Sequence, residues 1–79
     1  MEFDQLSSLV IGCGIEVHKE LGPGLLESAY QQCLSHELKL QGIPHLLEAP
    51  VKVYYKGLEI ECGYRIDLLV DEQLIVELK

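Results

Sequence analysis

Residues 64–79, YRIDLLVDEQLIVELK, alternate apolar and polar side chains on both sides of a short polar break. Such alternation predicts two strands joined as a hairpin. The apolar side chains fall at even positions in both strands, and residues that pair across an antiparallel hairpin share a face. Both apolar sets therefore reach one core only if the loop is 71–73, because a shorter two-residue turn would pair even positions with odd ones.

The same register brings two carboxylates together on the polar face of the hairpin. It places Asp67 opposite Glu77, and Arg65 opposite Lys79. Facing β-carbons in such a pair are about 5 Å apart, where like charges repel. A hard cation such as Mg²⁺ would relieve this repulsion, because it binds carboxylate oxygens and keeps several waters. The alternative is a solvated polar face held together by diagonal ion pairs, and the hairpin alone favours that alternative.

Two helices are predicted upstream of the strands. Apolar residues recur at three- and four-residue steps over 6–21 and again over 25–41. The Gly- and Pro-containing segments 22–24 and 42–44 end these helices, because Pro cannot continue a helix and Gly tolerates the left-handed turn that follows one.

Details of the first helix predict extensive burial. Ile11 and Ile15 add a second apolar stripe, which predicts that the helix is covered on more than one side. Gly12 and Gly14 each weaken a helix by about 1 kcal/mol relative to Ala, so we expect another backbone to approach them closely.

From Leu46 the hydrophobic period changes from 3.6 to two. Apolar and polar residues alternate on both sides of a turn at Lys56-Gly57, and Gly63 separates this hairpin from the final one. The predicted fold is α+β: two N-terminal helices packed on a three- to four-stranded antiparallel sheet, in a single domain over 1–79.

Composition limits the classes of function. The chain has 79 residues, 48% of them hydrophobic, and 13 acids against 6 bases give a net charge of −7. This balance disfavours a protein that coats nucleic acid, which needs a basic surface. We expect no membrane span and no secretory signal, and Cys13, Cys33 and Cys62 form no Cys-x-x-Cys motif. We therefore expect a cytoplasmic protein with mostly buried, reduced thiols.

Several motifs in order carry a resemblance to a known family. They are GLLESAY at 24–30, EVHKELGP at 16–23, VYYKG at 53–57, YRIDLLV at 64–70 and the final Glu77-Leu78-Lys79. Together they resemble the GxxExxY family, a group of small bacterial proteins in the PD-(D/E)XK nuclease superfamily. Ile66 stands where the superfamily name has Pro. The resemblance implies a partial, restriction-endonuclease-like core that lacks its last helix and strand.

The resemblance also implies roles for the acidic residues. Asp67 and Glu77 would ligate Mg²⁺ or Mn²⁺, and Lys79 would orient or deprotonate the attacking water or neutralise charge on the phosphate. Glu27 would reach the metal from the second helix. Alternatively, with Gly24 as N-cap, Glu27 is an acid of the first turn that satisfies free amides and the helix dipole.

Three further residues are candidate substrate contacts, each with a simpler alternative. Tyr30 lies one turn after Glu27, where core packing is the alternative. His18, near the end of the first helix, is also favourable there with the helix dipole. Arg65 would bind phosphate or, as we favour, pair with Glu77. His36 and His45 are expected in surface or loop positions.

The functional expectation is a Mg²⁺-dependent nuclease-superfamily domain that hydrolyses phosphodiester bonds. The alternatives are a non-catalytic binding or regulatory module with the same fold, because fold does not fix function, and a hydrolase of small phosphate compounds. The open edge of the last strand favours a homodimer or poor solubility.

Overall fold

The computed structural model describes residues 1–24 and 26–78, and of Cys62 only the backbone. Two helices precede an antiparallel sheet of three strands in these residues. The elements are α1 Phe3–Leu21, α2 Glu27–Leu40, β1 His45–Tyr55, β2 Leu58–Val70 and β3 Leu74–Val76. The predicted α+β fold is therefore confirmed. Neither described helix combines the length and apolarity that a membrane crossing requires.

Strand β2 is continuous through the point at which the sequence predicted a break. Gly63 lies inside it with a φ of +77°. The pairing of β2 with β1 shifts register between Pro50 and Lys52, because β2 contains two more residues than β1 over this interval. Gly accommodates the left-handed backbone of such a bulge, so the sheet has three strands, in the order β1-β2-β3.

The predicted register of the last hairpin is confirmed. Leu68 pairs with Val76 and Val70 pairs with Leu74, so the loop is 71–73. Two non-glycine residues of this loop, Asp71 and Glu72, have φ values of +51° and +56°. The paired strand ends at Val76, earlier than the predicted end at Lys79, which lies outside the described residues.

The core lies between the helices and the even-numbered face of β2. Leu68 and Val70 are fully buried, as the alternation predicted. The apolar side chains on one face of α1 and of α2 belong to the same hydrophobic cluster as Leu68 and Val70, and Ile43 also belongs to it. The buried members from the helices are Leu6, Val10, Cys13 and Val17 of α1 and Leu34 and Leu38 of α2.

Two expectations about α1 are wrong. Ile11 is 63% exposed and Ile15 is 52% exposed, so only one face of the helix is buried. A β-carbon placed on Gly12 or Gly14 would have no heavy-atom neighbour from another described element within 4 Å, so no backbone of residues 1–24 and 26–78 outside the helix approaches them closely. Within the described residues, α2 and the sheet pack on one stripe of α1 and leave the second stripe exposed.

The half of the β1–β2 hairpin that lies farthest from the core has no cover. Every residue of 52–61 is exposed, including the apolar side chains on one face of the ribbon. The opposite face is polar: Lys52 Nζ lies 3.0 Å from Glu59 Oε1, and the Tyr54 hydroxyl donates to the same oxygen at 3.4 Å. This segment is therefore held mainly by its own hydrogen bonds and cross-strand pairs.

Candidate functional site

The carboxylate of Asp67 is bound to the segment that follows β3. The backbone N–H of Leu78 donates to Asp67 Oδ2 at 2.8 Å. This bond lies beyond the ladder between β2 and β3, which ends at Val76. The half-buried Asp67 is thus held directly beside the Glu77-Leu78 peptide.

Glu77 reaches the same region but has a different partner. Its Oε1 accepts a hydrogen bond of 2.5 Å from the Tyr64 hydroxyl. The pKa of Tyr64 is raised above its usual value, first by this bond, then by partial burial, and then by the charges of Glu77 and Asp67. The Glu77 carboxylate therefore contacts the Tyr64 hydroxyl, and the charge of Asp67 has the smallest effect on its pKa. The predicted ladder pair between Asp67 and Glu77 does not form, because β3 ends before Glu77.

A small cavity opens between the start of α2 and the sheet. Its volume is about 200 Å³, and its lining residues are Glu27, Ser28 and Gln31 of α2 together with Glu48, Asp67 and Leu78. Glu27 and Asp67 therefore line the same cavity, and Glu77 is not among its lining residues.

The start of α2 differs from the prediction. Glu27 is the first residue of the helix, Leu26 is the N-cap, and no side chain caps the end. The expected cap at Gly24 is therefore wrong. A negative charge in the first turn is still favourable with the helix dipole, so both interpretations of Glu27 stay open.

Sequence reasoning missed three residues of this cavity, Ser28, Gln31 and Glu48. Gln31 is 8% exposed, and its Nε2 donates to Glu48 Oε1 and to the Asp67 carbonyl, both at 2.9 Å. A signal for Gln31 existed, because it stands on the buried stripe of α2 three residues before Leu34. Glu48 gave no signal in the sequence. Its φ is +53°, a left-handed backbone that costs an ordinary residue about 1–2 kcal/mol.

His18 and Tyr30 contact each other instead of lining this cavity. The Tyr30 hydroxyl donates to the Gly22 carbonyl and lies 3.5 Å from His18 Nδ1. The two rings stack with their centroids 6.5 Å apart. Together they tie the end of α1 to α2, and their roles as substrate contacts stay predictions.

Arg65 and His45 differ from what the sequence suggested. Arg65 Nη1 donates to the Glu48 carbonyl at 3.3 Å, and the described residues contain no ion pair between Arg65 and Glu77. The favoured pairing is therefore wrong. His45 is half-buried and begins β1, where its Nε2 lies 2.7 Å from Ser35 Oγ.

The donor chemistry of the cavity fits a hard cation. Glu27, Glu48 and Asp67 supply carboxylate oxygens, and Mg²⁺ is usually bound through one or two carboxylates and several waters. Within residues 1–24 and 26–78, no group of three His, Cys, Asp or Glu side chains is close enough to hold a metal alone. The fit is therefore to a site with few protein ligands. Lys79 lies outside the described residues.

An antiparallel sheet under two helices defines an α+β domain. A sequence model of the PD-(D/E)XK nuclease superfamily matches residues 4–79. The chain belongs to this superfamily. No curated protein and no solved structure matches it significantly.

Proposed function

We propose that the chain is a phosphodiesterase domain of the GxxExxY group that works with Mg²⁺ or Mn²⁺. One observation carries this proposal: the hydrogen bond from the Leu78 N–H to Asp67 Oδ2. The bond links Asp67 of β2 to the backbone of Leu78, the residue after Glu77. Because the chain belongs to the nuclease superfamily, we propose that Asp67 and Glu77 act together.

In the proposed mechanism, Asp67 and Glu77 hold the cation, and Glu27 contributes from the first turn of α2. When bound, such an ion polarises the phosphate and lowers the pKa of a coordinated water. The Tyr64 hydroxyl occupies Oε1 of Glu77, so the other oxygen of this carboxylate would bind the ion. Lys79 follows Leu78 directly, and we assign its ammonium group to orienting the attacking water and stabilising charge on the phosphate.

The net charge of the chain limits the class of substrate that we propose. A net charge of −7 repels a long polyanion, so we favour short or small phosphodiesters over extended duplex DNA. The same charge supports the second candidate, a non-catalytic module that keeps the fold. Cation binding without hydrolysis would favour this second candidate.

Cation binding is the first test. Mn²⁺ or Mg²⁺ should raise the melting temperature of the native protein and should leave that of Asp67→Asn unchanged, because the substitution removes the charge that holds the ion. Asp4→Asn is the matched control, since Asp4 is an exposed acid of the first turn of α1. Equal shifts of the melting temperature in all three proteins would refute the proposed metal site.

Hydrolysis is the second test. The native protein with Mn²⁺ should cleave bis(p-nitrophenyl) phosphate faster than it nicks supercoiled plasmid, and Lys79→Ala should abolish both reactions. Activity that survives Lys79→Ala would show that the hydrolysis comes from other residues or from a contaminant.

We also propose that the chain works in the cytoplasm and self-associates through β3. This strand lies at the edge of the sheet, and its Ile75 is 56% exposed. Unpaired edges invite pairing with a second copy. Sedimentation at increasing concentration tests this expectation, and a monomer throughout would refute it.

A further inference from the structure

The side of α1 that points away from the core has an apolar centre and charged ends. At about 100° per residue, this side lies opposite the buried stripe of the helix. Ile11 and Ile15, which are 63% and 52% exposed, form its centre. We call this side the outer face, and its exposed residues are Asp4, Ser8, Ile11, Gly12, Ile15 and Lys19. An apolar centre with a polar rim is the usual composition of a contact surface between proteins.

The two ends of the outer face carry opposite charges. Asp4 lies in the first turn of α1 and Lys19 in the last turn. About 22 Å of helix separates them, so they cannot pair with each other within one chain. In the part of the chain that the structure describes, neither takes part in an ion pair. Glu16 and Glu20 project roughly 90° or more away from the centre of the face. The outer face is therefore balanced in charge, although the chain as a whole carries −7.

A second copy of the outer face complements the first when the two helices run antiparallel. Halfway between the two charges the helix has Ile11 and Gly12. A two-fold axis at that point brings Asp4 of each copy to the level of Lys19 of the other and forms the same ion pair twice. It also joins the two apolar centres. Parallel helices would instead bring acid to acid and base to base.

Gly12 gives independent support for a close neighbour at the centre of the outer face. A glycine inside a helix costs about 1 kcal/mol relative to Ala. A β-carbon placed on Gly12 would meet no heavy atom of another described element within 4 Å, so packing within those residues does not require a glycine there. A helix of a second copy would require it, because the missing side chain lets the two backbones approach.

We infer that two copies of this chain associate through the outer faces of α1, packed antiparallel about a two-fold axis near Ile11 and Gly12. This contact is separate from the β3 edge and from the acidic cavity, so it does not depend on the proposed function. One helix from each copy makes a small interface, and we therefore expect a dimer that dissociates on dilution.

Sedimentation of the full chain over a range of concentrations tests the contact. Ile15→Glu places a charge from each copy in the apolar centre, and we expect the dimer to weaken by about a hundredfold or more. Ile60→Glu is the matched control, because it makes the same change at a 41% exposed position of the distal hairpin. A native protein that stays monomeric would overturn the inference, and so would a dimer that persists in Ile15→Glu or is lost equally in Ile60→Glu.

Charge reversal tests the antiparallel register. Asp4→Lys and Lys19→Asp should each weaken the dimer about tenfold, because each variant opposes like charges at both ends of the contact. A mixture of the two variants should regain near-native affinity, since the heterodimer forms both ion pairs again. Single variants that dimerise as the native protein does, or a mixture that does not recover, would refute this register. If Ile15→Glu does not fold, the mixing experiment decides.

The two glycines of α1 separate packing between copies from the stability of the helix. Gly12→Ala and Gly14→Ala should both raise the melting temperature of dilute, monomeric protein, because Ala favours the helix. Only Gly12→Ala should weaken the dimer, by about tenfold, since Gly14 lies off the outer face and its added β-carbon meets no partner helix. Equal dimer affinity in the two variants would overturn the close approach at Gly12.

Discussion

The two halves of the β1–β2 hairpin share one hydrogen-bonded ladder but differ in what covers them. In the half near the helices, residues 45–50 with 65–70, Ala49 and Leu68 are buried. In the distal half, residues 52–61, every side chain is exposed. Cross-strand hydrogen bonds therefore suffice to make strands in both halves, whereas helix packing makes a core in only one. The acidic cavity lies in the covered half, where Gln31 of α2 donates to Glu48 and to the Asp67 carbonyl.

The largest expected difference concerns leucines on the two halves. Leu68→Ala should lower the free energy of unfolding by about 3 kcal/mol, because it empties a fully buried position in the core. Leu58→Ala, at a residue that is 60% exposed, should cost less than about 1 kcal/mol. Urea denaturation of both variants measures the contrast, and similar losses would mean that the distal ribbon is covered in solution.

The next prediction compares a partly buried hydrogen bond near the helices with an exposed ion pair in the distal half. His45 Nδ1 lies 3.0 Å from the Ile43 carbonyl, which only accepts, so Nδ1 carries the proton and Nε2 accepts from the Ser35 hydroxyl. Ser35→Ala should therefore cost about 1 kcal/mol, because it leaves a partly buried acceptor without its partner.

Lys52→Ala is the distal counterpart of that variant. Its ion pair with Glu59 is half exposed on both sides, so its loss should cost about 0–0.5 kcal/mol. Thermal unfolding of the two proteins under the same conditions is the check. A larger loss in Lys52→Ala would reverse the order that burial predicts.

The smallest expected effect is a change in the pKa of one side chain rather than in the free energy of unfolding. Glu77→Gln should lower the pKa of Tyr64 towards 10.0, because it removes the carboxylate that favours the protonated hydroxyl. Folding raises this pKa, so the bond is present at neutral pH and is lost as pH rises through the raised value, above 10.

Absorbance at 295 nm as a function of pH follows this ionisation, with Tyr64→Phe to assign it. Glu59→Gln is the distal control and should leave the Tyr64 transition where it is in the native protein. A Tyr64 transition that does not move in Glu77→Gln would show that the contact is absent in solution.

The sequence predicted most of the fold because the apolar residues of the helices and strands recur with a regular period. The alternation across 64–79 fixed the hairpin register, and the stripe that contains Leu34 and Leu38 fixed the buried face of α2. It failed at Ile11 and Ile15, since apolar spacing shows which side chains favour burial but not which of them other elements pack against.

The candidate site was only partly predictable for a different reason. Asp67 and Glu27 share a cavity, as the motif suggested. Glu48 reaches that cavity through a single left-handed residue, and no periodic pattern records such a backbone conformation. Arg65 was assigned to Glu77 from strand pairing alone, which cannot foresee that β3 ends before Glu77 and that a backbone carbonyl becomes the partner.

The turn between β2 and β3 makes the last strand easy to reinforce by design. Asp71 and Glu72 are consecutive left-handed residues, the conformation that tight hairpin turns fill with Asn-Gly. Replacing the pair with Asn-Gly would relieve strain at both positions without touching the cavity. An engineer who needs a sturdier scaffold for this acidic pocket can therefore begin at a surface turn and leave the interior untouched.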